Sequence, residues 1–210
     1  MRIQLIYAHP CAESFIGAVH HTALVSLRNA GHEVDDLDLY AEEFQPVMLA
    51  DERRGYHEAG NPPDELDVWI RRVRQAEGLV FVYPTWWYGL PAILKGYLDR
   101  VYRPGLAFHL GGPNVSIRPG LRHIRVLSGV STYGATRLWT RYIGDPGRRT
   151  VMRGIGALCA PNVRKSWLAL YHMNHDSPWH RERFLQRVET RMHALDPSGK
   201  TRTQRVEGAG

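Results

Sequence analysis

The sequence predicts an α/β chain built on a doubly wound, largely parallel sheet. Three observations carry that expectation. Residues 2–8 and 78–83 are short runs that are apolar at nearly every position, the pattern of strands buried on both faces. Stretches with helical spacing alternate with these runs. Proline or glycine stands at most of the junctions, where a strand or helix must stop.

Taken in order, the first strand ends at His9-Pro10, because Pro10 cannot donate to a ladder. Ser14 then precedes a helix from Phe15 to Asn29, whose inner face carries Ile16, Val19, Ala23, Leu24 and Leu27. Gly31 is its stop signal. Val34, Leu37 and Leu39 mark a shorter strand nearer the edge. Residues 41–63 form a long connection with a helical turn at 50–58. A helix capped by Asp64 runs to Glu77, with Leu66, Val68, Trp69, Val73 and Ala76 recurring along it. The strand 78–83 ends at Pro84, and Pro91 opens a helix to Val101. Further strands are expected at 123–129 and 164–170, and helices at 136–143, 147–158 and 178–194. Residues 1–195 read as one domain and 196–210 as a flexible tail.

The chain has 210 residues, of which 43% are hydrophobic and 23% charged, enough for a core without disulfides or metals. Its two cysteines, Cys11 and Cys159, form no CxxC pair, and no apolar run reaches the ~18 residues of a membrane span. The N-terminus is too soon interrupted to read as a signal peptide, so a cytoplasmic protein is expected. Charge is divided unevenly. Residues 1–100 carry a net −6 and residues 101–210 a net +12. A basic half fits a solvated face, a phosphate-bearing ligand, a nucleic acid or an acidic surface.

In open α/β sheets, ligands bind beyond the carboxyl ends of the strands. Three loops there stand out. His9–Ile16 joins a strand to a helix N-terminus, where free amides, Ser14 and the helix dipole make an anion site. Its ordinary alternative is a plain N-cap. Pro84–Pro91 (PTWWYGLP) concentrates aromatic residues and backbone donors, which fits a planar heteroaromatic ligand. Its alternative is packing on the next helix or a partner subunit. Gly129–Arg137 offers small residues and the hydroxyls of Ser131, Thr132 and Tyr133. Together they predict a phosphate site at the first loop and a flat ring held by the other two.

The stretches AHPCAESF (8–15), VFVYPTWWYGLPAILKGYLDRVY (80–102) and STYGATR (131–137) resemble the NAD(P)H:quinone oxidoreductases of flavodoxin-like fold. That group includes the modulator-of-drug-activity type and the ancillary oxidoreductases of potassium-efflux systems. The resemblance covers roughly residues 2–195, and P-x-x-W-x-G-x-P-A-x-L-K-G is its specific part. It implies a five-stranded parallel sheet of order 2-1-3-4-5, helices on both faces, and a homodimer. It implies a flavin, FMN or FAD, reduced by NADPH or NADH. His9, Ser14, Phe15 and Ile16 would hold the flavin phosphate. Pro84, Thr85, Trp86, Trp87 and Tyr88 would line the ring, with Ser131, Thr132, Tyr133 and Gly134 on its other edge. Phe108 would reach into the partner's site. Hydride would pass from nicotinamide to flavin N5 and on to a quinone-like acceptor by a ping-pong route, with Tyr133 as the catalytic hydroxyl.

Three departures qualify these implications. Ile16 stands where many members carry Asn. Loop three has Thr132-Tyr133-Gly134 where mammalian members are glycine-rich. The connection 41–63 is shorter than in those enzymes, which leaves FMN and FAD both open. Arg137, Arg141, Arg148 and Arg149 could attract an NADPH phosphate, or form a solvated face. The alternative function is a redox-linked regulatory subunit of a membrane potassium-efflux system. Nucleic-acid binding lacks a motif. His172 and His175 have no third metal ligand nearby in sequence, and no metal is expected. His57 with Asp51 or Asp64 makes no hydrolase triad.

Overall fold

A computed structural model of the chain describes residues 1–57, 63–111 and 117–195. The expected tail at 196–210 lies outside them. Five parallel strands form the main sheet: β1 (Arg2–Tyr7), β2 (Glu33–Asp38), β3 (Gly78–Pro84), β6 (Val126–Thr132) and β7 (Arg164–Leu170), in the order β2-β1-β3-β6-β7. Counted by strand rank within that sheet, this is the order 2-1-3-4-5. A short antiparallel pair, β4 (Phe108–His109) and β5 (Arg118–Pro119), lies outside it and has no counterpart in the sequence reading.

Strand alternation feeds two separate cores. From β1 and β3, Ile3, Leu5, Val80 and Val82 face α1 (Phe15–Asn29) and α8 (Pro178–His193), where they meet Val19, Leu27, Phe184 and Val188. Ile6, Leu79 and Phe81 point the other way. They pack with Ile70 of α3 (Asp67–Gln75), Leu94 and Tyr97 of α4 (Ala92–Val101), and Val151 and Ile155. Strands covered on both faces need apolar residues at both parities, which is why these runs show no alternation in sequence.

The long connection after β2 is held down rather than loose. Phe44 is buried edge-on against Trp69 and Tyr97, at 5.1 and 5.4 Å between ring centroids. Arg100, only 4% exposed, bonds the Glu52 carboxylate at 2.8 Å and also pairs with Glu65 and the Gln45 carbonyl. Glu52 belongs to α2 (Ala50–Arg54), the helical turn expected at 50–58.

Several boundaries differ from the sequence reading. Asp64 does not cap a helix: it begins a 3₁₀ turn, Asp64–Leu66, that leads into α3. The fourth main strand runs from Val126 to Thr132, three residues later than expected. Arg122 and His123 form a turn, closed by the Ile124 amide bonded to Leu121 O at 3.0 Å. The helix expected at 147–158 is a composite of α6 (Pro146–Arg149), a π-helical stretch Thr150–Ile155, and α7 (Gly156–Leu158). α5 (Arg137–Ile143) and the last strand fall where expected, and Gly31 has the left-handed φ of +84° that a helix stop needs.

Candidate functional site

The carboxyl ends of β1, β3 and β6 lie side by side, so the loops that follow them share one edge of the sheet. The first loop turns tightly into α1. Ser14 is the N-cap: its Oγ accepts from the Gly17 amide at 3.1 Å and donates to Cys11 O at 2.7 Å. The Cys11 amide donates to His9 Nδ1 at 3.1 Å. The same nitrogen lies 3.0 Å from Cys11 O and 3.0 Å from Ser14 Oγ. Gly17 is required by contact, since a Cβ there would lie 2.1 Å from Ala12 O. The amides of Phe15 and Ile16 belong to the first turn and meet no acceptor among the described residues.

In the second loop, Trp86 and Gly89 close a tight turn through the Gly89 amide and Trp86 O at 2.9 Å. Its two central residues, Trp87 (φ 48°) and Tyr88 (φ 60°), both adopt left-handed backbone. That is the geometry of a type I′ turn, which ordinarily selects Gly or Asn. Bulky aromatics there are strained, and strain of this kind gathers at binding sites. The amides of Trp87 and Tyr88 find no acceptor among the described residues. The Trp87 side chain is 96% exposed, so within one chain only its backbone belongs to the site. The Trp86 ring stands 5.8 Å from that of His9, which joins the first two loops.

The third loop is shorter than the sequence implied, because Ser131 and Thr132 are strand residues paired with Tyr83 and Pro84. Ser131 Oγ bonds Thr85 Oγ1 at 2.9 Å, and the Thr85 amide donates to Thr132 O at 2.8 Å. These hydroxyls and carbonyls fix the loop rather than face outward. Tyr133 is 2% exposed; its hydroxyl donates to Asp145 Oδ1 at 2.9 Å and its ring stacks on Tyr171 at 4.7 Å. Burial, and then the Asp145 charge, push its pKa far up, so the phenol stays protonated. The expected catalytic hydroxyl is thus turned inward and already engaged. Gly134 is exposed beside Asn174. Phe108 is half-buried against the α3–α4 core, outside the three loops.

Sequence reasoning missed three residues here. Trp139 of α5 donates from Nε1 to the Tyr88 hydroxyl at 2.8 Å. Asp145, at φ 48°, holds Tyr133. Tyr171 stacks beneath Tyr133. The one available signal was Gly144-Asp145-Pro146, a turn sequence between two helices. Among the other residues weighed from sequence, His172 and His175 stack on each other at 4.7 Å and Cys11 is an exposed free thiol.

A family model described as flavodoxin-like fold matches residues 1–153. A ribosyldihydronicotinamide dehydrogenase-like protein of Penicillium crustosum is 35% identical over 127 residues, covering 53% of this chain and 47% of that protein. An uncharacterized NAD(P)H oxidoreductase of Escherichia coli, YcaK, is 35% identical over 112 residues, covering 51% and 55%. The chain therefore spans about half the length of these curated relatives. The solved NAD(P)H:quinone oxidoreductase of Methanothermobacter marburgensis superposes with a TM-score of 0.77 at 27% identity, covering 93% of this chain and 96% of that one. The chain belongs to the flavodoxin-like family.

Proposed function

We propose that this member of the flavodoxin-like family is a flavin-dependent NAD(P)H oxidoreductase acting on quinone-like or other flat aromatic acceptors. The observation that carries the reading is the strained Trp87-Tyr88 turn. It leaves two successive amides without acceptors at the carboxyl edge of the sheet, beside a helix N-terminus with two more. A flavin mononucleotide moiety has both chemistries in one molecule: a phosphate for the helix amides and a ring with carbonyl and imine acceptors for the turn. The residues present fit such a group.

Ser14 and the Phe15 and Ile16 amides would hold the phosphate, with a His9 ring N–H as a further donor. Pro84, Thr85, Trp86, Trp87 and Tyr88 would line the ring through their backbone, and Ser131, Thr132, Tyr133 and Gly134 would bound its other edge. When bound, the flavin would supply the redox chemistry, taking hydride from NAD(P)H and passing electrons to the acceptor in separate half-reactions. The protein's part is orientation and hydrogen-bond donation where negative charge develops. Tyr133 would position rather than react, since Asp145 holds its hydroxyl.

Homodimerisation belongs to the same proposal. Leu138 and Tyr142 on α5 and Trp87 of the second loop are exposed at 82%, 79% and 96%, and such apolar side chains fit a second copy, with Phe108 supplied across it. No helix among the described residues is long and apolar enough to cross a membrane. The free thiols of Cys11 and Cys159 fit a cytoplasmic compartment.

The test is an absorption spectrum of protein incubated with FMN or FAD, desalted, and mixed anaerobically with NADPH. Retained flavin bands that bleach support the enzyme. Flavin retained without bleaching points instead to a regulatory subunit. Failure to retain any flavin sinks the assignment of the turn.

A further inference from the structure

A cavity of about 350 Å³ opens between α5 and α6, walled by Arg137, Arg141, Arg148, Arg149 and Arg153 with a single carboxylate, Asp145. All five guanidiniums belong to exposed residues, and none forms an ion pair among the described residues. Asp145 is itself engaged by the Tyr133 hydroxyl. Arg137 and Arg141 are four apart on α5, and Arg149 and Arg153 are four apart along the next helix. Like charges at that spacing repel. The second pair spans the start of a π-helical stretch, a form frequent at functional sites. So much unbalanced positive charge around one concavity attracts an anion.

The cavity adjoins the ring loops. Asp145 bonds Tyr133, Tyr171 in the cavity wall stacks on Tyr133, and the Gly147 amide donates to Tyr88 O at 3.2 Å. The helix α1 site already provides for a flavin phosphate, which leaves this second site to another phosphorylated group. In an oxidoreductase the molecule that must approach the ring is the reductant. Its pyrophosphate is common to NADH and NADPH, whereas the 2′-phosphate is a terminal group of charge ≈ −1.5 to −2 with three free acceptor oxygens. Several forked guanidiniums match that group better than a bridging diester.

We propose that the arginine-lined cavity binds the 2′-phosphate of NADPH and makes the protein selective for NADPH over NADH. The proposal rests on the oxidoreductase reading above. Charge-assisted hydrogen bonds of this kind correspond to a preference of about tenfold to a hundredfold.

The test has two arms. In the first, the purified protein is titrated calorimetrically with adenosine 2′,5′-bisphosphate and with 5′-AMP. The bisphosphate should bind at least about tenfold tighter, and the difference should vanish in the Arg149→Ala/Arg153→Ala double variant. Arg28→Ala/Arg191→Ala, at two exposed arginines at the far ends of α1 and α8, controls for net charge and should keep the difference. In the second, KM and kcat are measured with NADPH and NADH. The double variant should raise the NADPH KM about tenfold or more with kcat held. Equal binding of the two nucleotides, a preference that survives the double variant, or a KM rise shared by both reductants would overturn the proposal. A shared rise would assign the cavity to the pyrophosphate. The titration needs no flavin, so a protein that retains none refutes the oxidoreductase reading while this arm still decides the phosphate site.

Discussion

Arg72 and Arg100 lie in the acidic half of the chain, and the five arginines of the α5–α6 cavity lie in the basic half; the two groups are used in opposite ways. Arg72 bonds Asp35 at 2.8 Å and Glu42 at 2.6 Å, and lies 5.7 Å over the Trp69 ring. Burial works against its charge, but the hydrogen bonds it donates to Asp35 and Glu42 outweigh that and hold it protonated. Arg100 is deeper still and is answered by Glu52 and Glu65. These arginines tie β2 and the long connection to the helices. The cavity arginines have no such counter-charges. A cation balanced within the chain contributes to the fold, whereas one left unbalanced is available to a ligand.

The sharpest way to break that comparison is Arg100→Ala. It strands the Glu52 carboxylate, which is only 5% exposed, and should cost roughly 3–5 kcal/mol in a denaturant titration. A loss below about 1 kcal/mol would mean that the clamp is not structural.

Next in size is the contrast with Arg149→Ala/Arg153→Ala. Its effect should fall on NADPH binding, with unfolding free energy unchanged to within about 0.5 kcal/mol, because no partner is stranded and a repulsion is removed. A destabilisation near that of Arg100→Ala would place these arginines in the fold instead.

Ser14→Ala sits between the two categories, since Ser14 both caps α1 and borders the anion site. It should lose about 1 kcal/mol of stability through the cap and also weaken flavin retention. A stability loss with retention unchanged would confine Ser14 to capping.

The smallest expected effect concerns Glu77. The Arg2 amide, at 2.8 Å, and then Arg125 hold its pKa below the usual carboxylate value. A group depressed in the folded state stabilises above its unfolded pKa and loses that contribution as pH falls through the folded one. Glu77→Gln should therefore flatten the acid limb of the stability curve slightly. An unchanged limb would show the pair to be fully screened.

Much of the architecture was legible because burial on both faces leaves a plain mark in sequence. β3, buried at every position, was expected at 78–83 and lies at Gly78–Pro84. The displaced strand shows where that mark misleads. Ile124 is buried and apolar, yet it closes a turn ahead of the strand. The start of β6 is set by registry, since Val126 pairs with Gly78 on one side and Arg164 on the other. A strand's phase depends on neighbours remote in sequence, which periodicity does not record. The loops were legible as a set by position after strands. The inward turn of Tyr133 was not, because its partner Asp145 is reached only after α5 has formed and reversed the chain.

By itself, then, the sequence determined the α/β class, the alternation of its elements, and the three loops bound for one edge of the sheet. Local hydrophobic pattern and turn chemistry are enough for each of those. Only the tertiary structure decided the left-handed Trp87-Tyr88 turn, the engagement of Tyr133 by Asp145, and the gathering of five arginines around one cavity. The arginines come from two helices separated by a glycine turn, and the π-helical stretch alters the helical phase between Arg149 and Arg153. Charge counted along a chain gives its amount, but whether it is neutralised or concentrated depends on which side chains packing brings together.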